Sequence, residues 1–324
     1  MRAIVCRALE GPDALEVADV PEPEPGACGV RIRVRAAGVN FADGLMLRGR
    51  YQEKPTLPFT PGLELAGEIE AVGAGVRGLE PGQRVLAVLS HGAFAEKAVA
   101  RADDVVPLPD DMDDVTAAGF AIAYGTAHGA LRWRANLHAG ETLLVHGAGG
   151  GVGLTAVECG KALGATVIAT ARGADKLAVA RKHGADHALD SDGDIKGQVR
   201  ELTAGRGADV AYDPVGGAMF DASLRSIAWE GRIVIVGFAS GDVPQIPANV
   251  LLVKNASVLG FYWGSYRKHD PERVREGFRE LFAWHREGRI RPHVSQTLPL
   301  AQTAAAIRLL LERRSIGKVV VSVP

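Results

Sequence analysis

The chain has 324 residues, 47% hydrophobic and 23% charged, with a formal net charge of −1. That length allows roughly two domains with a large core, and the charge balance offers no electrostatic case for a nucleic acid or an anionic membrane as partner. Cys6, Cys28 and Cys159 are scattered, with neither a disulfide framework nor a metal-ligand spacing. No apolar run approaches the ~20 residues that span a bilayer, and Met1-Arg2-Ala3-Ile4-Val5 opens without a charged-then-apolar leader, so a cytoplasmic location is expected.

In chain order, the first hundred residues predict short strands at Ala3–Cys6, Val30–Ala36, Leu65–Val72 and Arg84–Val88. They are punctuated by Pro21–Gly26 and Glu80-Pro81-Gly82, a spacing that predicts a partly closed β-barrel. An alanine-rich helical pattern covers Asp113–Arg132. From Thr142 to about Gly260, strands at Leu143–Val145, Val167–Thr170, Val210–Tyr212, Arg232–Val236 and Ser257–Leu259 alternate with helices, which predicts a parallel sheet wound on both faces. Helices are expected at Pro271–Arg286 and Ala301–Arg313, and Gly317–Val323 closes the chain as a strand.

Within the alternating region, the apolar run Leu143-Leu144-Val145 breaks into His146-Gly147-Ala148-Gly149-Gly150-Gly151-Val152-Gly153 and then a helix from Leu154 to Leu163. Glycines let the backbone turn sharply and approach a pyrophosphate, and the helix N-terminus favours the anion. The next apolar strand, Thr166–Thr170, completes a βαβ unit, so Ala148, Gly149, Gly150, Gly151, Val152 and Gly153 are assigned to a dinucleotide phosphate. The second strand ends Thr170-Ala171-Arg172-Gly173, without the carboxylate that accepts from ribose hydroxyls in NAD sites. Arg172, beside Ala171, can donate a bidentate pair to a 2′-phosphate, and Lys176 follows one helical turn later. Two cations at the unfavourable end of a helix point to NADPH.

Several ordered motifs resemble the medium-chain dehydrogenase/reductase superfamily, and within it the zinc-free NADPH:quinone oxidoreductase (zeta-crystallin-like) branch. They are Ala37–Asp43, Pro58–Gly67, Tyr124-Gly125-Thr126-Ala127, Tyr212–Gly217 and Gly317-Lys318-Val319-Val320. The resemblance implies a Rossmann doubly wound parallel sheet (122–260) and a GroES-like β-barrel-type catalytic domain (1–121 and 261–324). It also implies 2′-phosphate contacts at Lys176 and Arg313, with Ser191 replacing a family tyrosine, and further cofactor positions at Gly216, Gly237, Phe238 and Phe261. Glu158 stands where the family usually has Gln, a helical position expected to alter surface chemistry only. Zinc-bearing relatives carry ligands at the positions of Asn40, Leu63 and near Ala118, so no metal is expected; His183 and His187, the one local pair, are split by the helix-breaking Gly184.

Without a Lewis acid, alcohol oxidation is disfavoured, whereas hydride delivery to a quinone or an activated alkene needs no strong catalytic acid. Candidate residues near the nicotinamide are Asn40, Asp43, Tyr51 and Thr126. Asn40 is alternatively a turn-capping amide, Asp43 a backbone holder, and Tyr51 alternatively a surface ring. Relatives that reduce small quinones can carry hydroxyls at Leu45 and Leu63; the leucines here imply a more apolar pocket. The aromatic run Phe261-Tyr262-Trp263 with Tyr266 is a pocket wall, a subunit contact or core filling. Three functions remain: a quinone reductase, an enoyl or alkenal reductase, and a non-catalytic NADPH-binding or RNA-binding protein. The last would use Arg267, Lys268, Arg273, Arg275 and Arg279, but interleaved Glu272, Glu276 and Glu280 favour a solvated helix. A homodimer through the strand near Ser257–Leu259 is expected.

Overall fold

The alternating apolar runs in the middle of the chain build a six-stranded sheet. Its spatial order is His187–Asp190, Thr166–Ala171, Thr142–Val145, Ala208–Asp213, Ile227–Ile235 and Ser257–Gly260, and every neighbouring pair is parallel. Numbered by sequence this is the 3-2-1-4-5-6 order of a doubly wound dinucleotide fold. Leu143, Leu144 and Val145 are wholly buried, as expected for a strand covered by helices on both faces. The short third strand, His187–Asp190, is not among the predicted strands: its residues are half-buried or exposed and half of them polar, too weak a pattern to stand out.

The computed structural model describes all 324 residues and divides into two units, Met1–Ile122 with Pro292–Pro324, and Ala123–Arg291. In the first unit one sheet runs in the order Val294–Pro299, Lys318–Ser322, Gly29–Val39, Glu64–Val72, Arg84–Val88, Val105–Pro107. Gly29–Val39 pairs with Glu64–Val72 along one edge. Its other edge is shared between Lys97–Arg101 and Lys318–Ser322, so the sheet curls in the barrel-like manner anticipated from the strand spacing. Ile32, Val34, Leu65, Phe94 and Val321 fill its core.

Residues 261–291 cluster with the parallel-sheet unit, whereas the sequence placed the boundary at 260. The cause is aromatic packing. Phe261 lies 6.4 Å from Trp133 and 5.4 Å from Tyr266, and helix Pro271–Arg286 buries Phe278, Leu281 and Trp284. His128 meets Trp133 and Trp284 edge-on and pairs through Nε2 with Glu280 at 2.7 Å. Phe261 and Trp263 therefore fill core, while Tyr262 is exposed. On the helix's solvent face Glu272 pairs with Arg275 and Arg279, so the basic residues there are a solvated, internally neutralised face. No helix is long and apolar enough to cross a membrane.

Candidate functional site

The glycine loop lies at the carboxyl end of Thr142–Val145, beside Ala208–Asp213, where the strand order reverses and ligands of open α/β sheets bind. The helix that follows runs Gly151–Ala162 with Gly150 as N-cap and no side chain capping it. The N–H groups of Gly151, Val152 and Gly153 therefore lack intrahelical acceptors and are available to an anion. Gly153 permits the close turn, because a β-carbon there would sit 2.1 Å from the Gly147 carbonyl oxygen. Gly149 makes room for a neighbour instead: a β-carbon there would meet the Lys176 stem at 2.7 Å. Loop and lysine are thus in contact.

Buried polar groups fix the loop from below. His146 bonds Thr170 Oγ1 through Nδ1 (2.9 Å) and Ser223 Oγ through Nε2 (2.7 Å), and burial lowers its pKa, so the ring sits there neutral. Asp213 accepts from the N–H groups of Val215 and Gly216 at 2.8 and 2.9 Å. That holds the turn in which Gly216 adopts φ +72°. Gly237 and the exposed Phe238 follow the strand Ile227–Ile235, at the same carboxyl end of the sheet. Ala171 ends the second strand buried, and its carbonyl accepts from Ser191 N at 3.1 Å. Arg172 is exposed and paired with Asp192. Arg313, φ +59°, lies in the other unit just past helix Thr303–Leu311. Phe261, assigned to the cofactor from sequence, is instead enclosed by Trp133 and Tyr266.

Thr126 is half-buried on helix Ala121–His128, next to Gly125, which accommodates the Trp263 indole: a β-carbon at Gly125 would meet that ring at 2.7 Å. Asn40 and Tyr51 belong to the first unit. Tyr51 is half-buried against the barrel core. Asn40 caps helix Phe41–Met46, and its amide is committed inside the protein. Its Oδ1 accepts from Lys318 Nζ at 2.8 Å, and its Nδ2 donates to Glu64 Oε1 at 2.9 Å. The helix start is capped from the other side, by the Asp43 carboxylate on Asn40 N at 2.8 Å.

Lys318, Glu64 and Asp43 surround it in a cluster that the sequence did not reveal. Lys318 Nζ also donates to Glu64 Oε1 (2.9 Å) and Val39 O (2.9 Å), and the side chains of the pair are 7% and 1% exposed. Glu64 Oε2 accepts from Ile122 N. Asp43 is wholly buried, with Oδ2 on Asn40 N and Oδ1 unpartnered. Desolvation raises its pKa from 3.8 to about 7, against the pull of the Asn40 N–H and Lys318. The folded protein thus holds this proton more tightly than the unfolded chain. The resulting stability is complete below about pH 4 and is lost as pH rises through about 7. In urea unfolding, Asp43→Asn is expected to flatten that decline, so that wild type minus variant falls with rising pH. Parallel pH profiles contradict this.

Glu158 corrects an expectation. It is 4% exposed, not a surface residue. Its carboxylate accepts from the Tyr124 hydroxyl, from His183 Nδ1 at 2.7 Å and from Arg291 N at 2.9 Å. A single helix position gave no hint that three separated segments converge on it. Glu158→Leu strands these donors and is expected to cost about 2–4 kcal/mol in urea unfolding, whereas Glu158→Gln, which keeps an acceptor, costs less than half as much. Equal losses contradict the hydrogen-bonding role. His183 is thereby engaged, and His187 lies in a strand of the sheet.

Two family profiles match the chain: Alcohol dehydrogenase GroES-like domain over residues 26–110, and Zinc-binding dehydrogenase over residues 151–283. A Quinone oxidoreductase-like protein 2 homolog from Nematostella vectensis is 42% identical over 99% of this chain and 88% of its own length. A mycobacterial protein solved in complex with NADPH superposes with a TM-score of 0.94 at 34% identity, covering 99% of this chain and 100% of that one. Escherichia coli quinone oxidoreductase complexed with NADPH gives 0.92 at 29% identity, covering 99% and 100%.

Proposed function

The chain belongs to the quinone oxidoreductase family of medium-chain dehydrogenases/reductases, and from that premise we propose that it is an NADPH-dependent, metal-independent quinone reductase. The glycine loop carries this proposal: free N–H groups at a helix N-terminus, Lys176 in contact with Gly149, and arginine at the end of the second strand. Gly151, Val152 and Gly153 would hold the pyrophosphate, and Arg172 and Lys176 the 2′-phosphate, with Ser191 and Arg313 at positions the family uses for the same group. Gly216, Gly237 and Phe238 would flank the nucleotide at the strand ends. When bound, NADPH would supply the hydride that, with one proton from solvent, converts a quinone to its hydroquinone. Tyr51 and Thr126 would offer their hydroxyls to nicotinamide or substrate.

The donors at the first unit's candidate zinc positions do not fit that metal. Leu63 and Ala118 are buried hydrocarbon, and the Asn40 amide is taken by Lys318 and Glu64. The exposed Leu252 and Val253, on the helix Ala248–Lys254 that leads into edge strand Ser257–Gly260, support a homodimer through that edge.

Turnover of NADPH deuterated at its hydride-donating carbon, offered to quinones, enones and alkenals, tests the reaction. Quinone reduction with no deuterium kept on product carbon is expected. Preferential turnover of alkenes with carbon-bound deuterium makes the protein an enoyl reductase, and tight NADPH binding without turnover makes it a binding protein.

A further inference from the structure

The end of the second parallel strand meets a carboxylate that chain order alone does not put there. Arg172 donates through Nη2 and Nε to Oδ1 of Asp192, at 2.7 and 3.1 Å. Asp192 comes from the loop after His187–Asp190. That loop is tied back by Ser191 N on Ala171 O at 3.1 Å and by Asp192 N on Asp190 Oδ1 at 3.0 Å. Asp190 lies near enough to act on the same guanidinium. A phosphate monoester binding Arg172 must take this fork from Asp192 and then lie beside its charge. A ribose hydroxyl carries no charge and meets neither obstacle.

We propose that Asp192 is a cofactor-selectivity residue, competing with the 2′-phosphate for Arg172 and so lowering the margin by which NADPH is preferred over NADH. The inference rests on the NADPH site proposed above. It reverses part of what the strand end implies: the carboxylate missing at Arg172 is restored by the loop after the neighbouring strand. Both side chains are well exposed (68% and 60%), so the competition is modest and weakened by salt.

Fluorescence titration of the full-length protein with NADPH and with NADH, at one low ionic strength, tests this. The proteins compared are wild type, Asp192→Asn, Arg172→Ala and the double variant. Asp192→Asn is expected to tighten NADPH about three- to tenfold and to leave NADH within about twofold, the latter also reporting an intact fold and phosphate loop. In the Arg172→Ala background the gain should shrink to less than half, since no guanidinium remains to compete for. Unchanged NADPH affinity, a loss confined to NADH, or an equal gain without Arg172 overturns the proposal. The wild-type ratio is a separate readout. NADH bound as tightly as NADPH sinks the assignment of NADPH as the cofactor, while the change on substitution still decides the role of Asp192.

Discussion

Replacing Lys318 by methionine is expected to cost about 3–5 kcal/mol of stability. Methionine fills much of the volume of the lysine stem, which packs on Gly119, so the loss isolates the ammonium. That group donates to Val39 O, Asn40 Oδ1 and Glu64 Oε1. Without it, the Glu64 carboxyl group in its buried strand keeps only the Asn40 amide and the Ile122 N–H as partners. Adding Glu64→Gln removes the stranded charge and should recover more than half of the loss, because a neutral pair pays no comparable desolvation cost. Circular dichroism is the appropriate probe, since Trp133, Trp229, Trp263 and Trp284, the four tryptophans, all lie in the second unit. A double variant less stable than Lys318→Met places the energy in packing rather than charge.

Gly153→Ala is expected to weaken NADPH binding about ten- to hundredfold, the effect of an overpacking cost of about 1–3 kcal/mol felt at the phosphate loop. The added methyl would lie 2.1 Å from the Gly147 oxygen and 2.6 Å from its carbonyl carbon. Both are backbone atoms, so relief requires moving the first turn of the helix whose N–H groups are proposed to hold the pyrophosphate. Gly153 is not in a left-handed conformation, so steric contact alone is at stake. Near-native circular dichroism with depressed NADPH affinity is the expected pair of results. Wild-type affinity in a folded variant removes Gly153 from the site.

The sequence was most readable where periodicity and glycine chemistry coincide. Leu143–Val145 followed by the glycine run located the parallel sheet, its first helix and the tight turn between them, because buried parallel strands and tight turns leave strong local patterns. Contacts between distant segments left none. The strand His187–Asp190 is short and polar, and with it went the approach of Asp192 to Arg172. Glu158 reads as one more helical carboxylate until Tyr124, His183 and Arg291 are seen to meet on it. The Lys318 cluster did leave a trace: a lysine heading the run Val319-Val320-Val321, and a glutamate between Leu63 and Leu65. Charges inside apolar strands are costly to bury, and such a pair is a reason to look for a partner elsewhere in the chain. The aromatic run from Phe261 onward was ambiguous for the opposite reason, since wall, interface and core all favour the same residues.

NADPH oxidation with a benzoquinone, measured before and after exhaustive dialysis against a metal chelator, bears most directly on a nucleotide-dependent reductase that works without a metal. Equal rates before and after chelation are expected, with the rate depending on the quinone. Activity that disappears on chelation and returns with zinc, or no NADPH oxidation with any quinone, contradicts it.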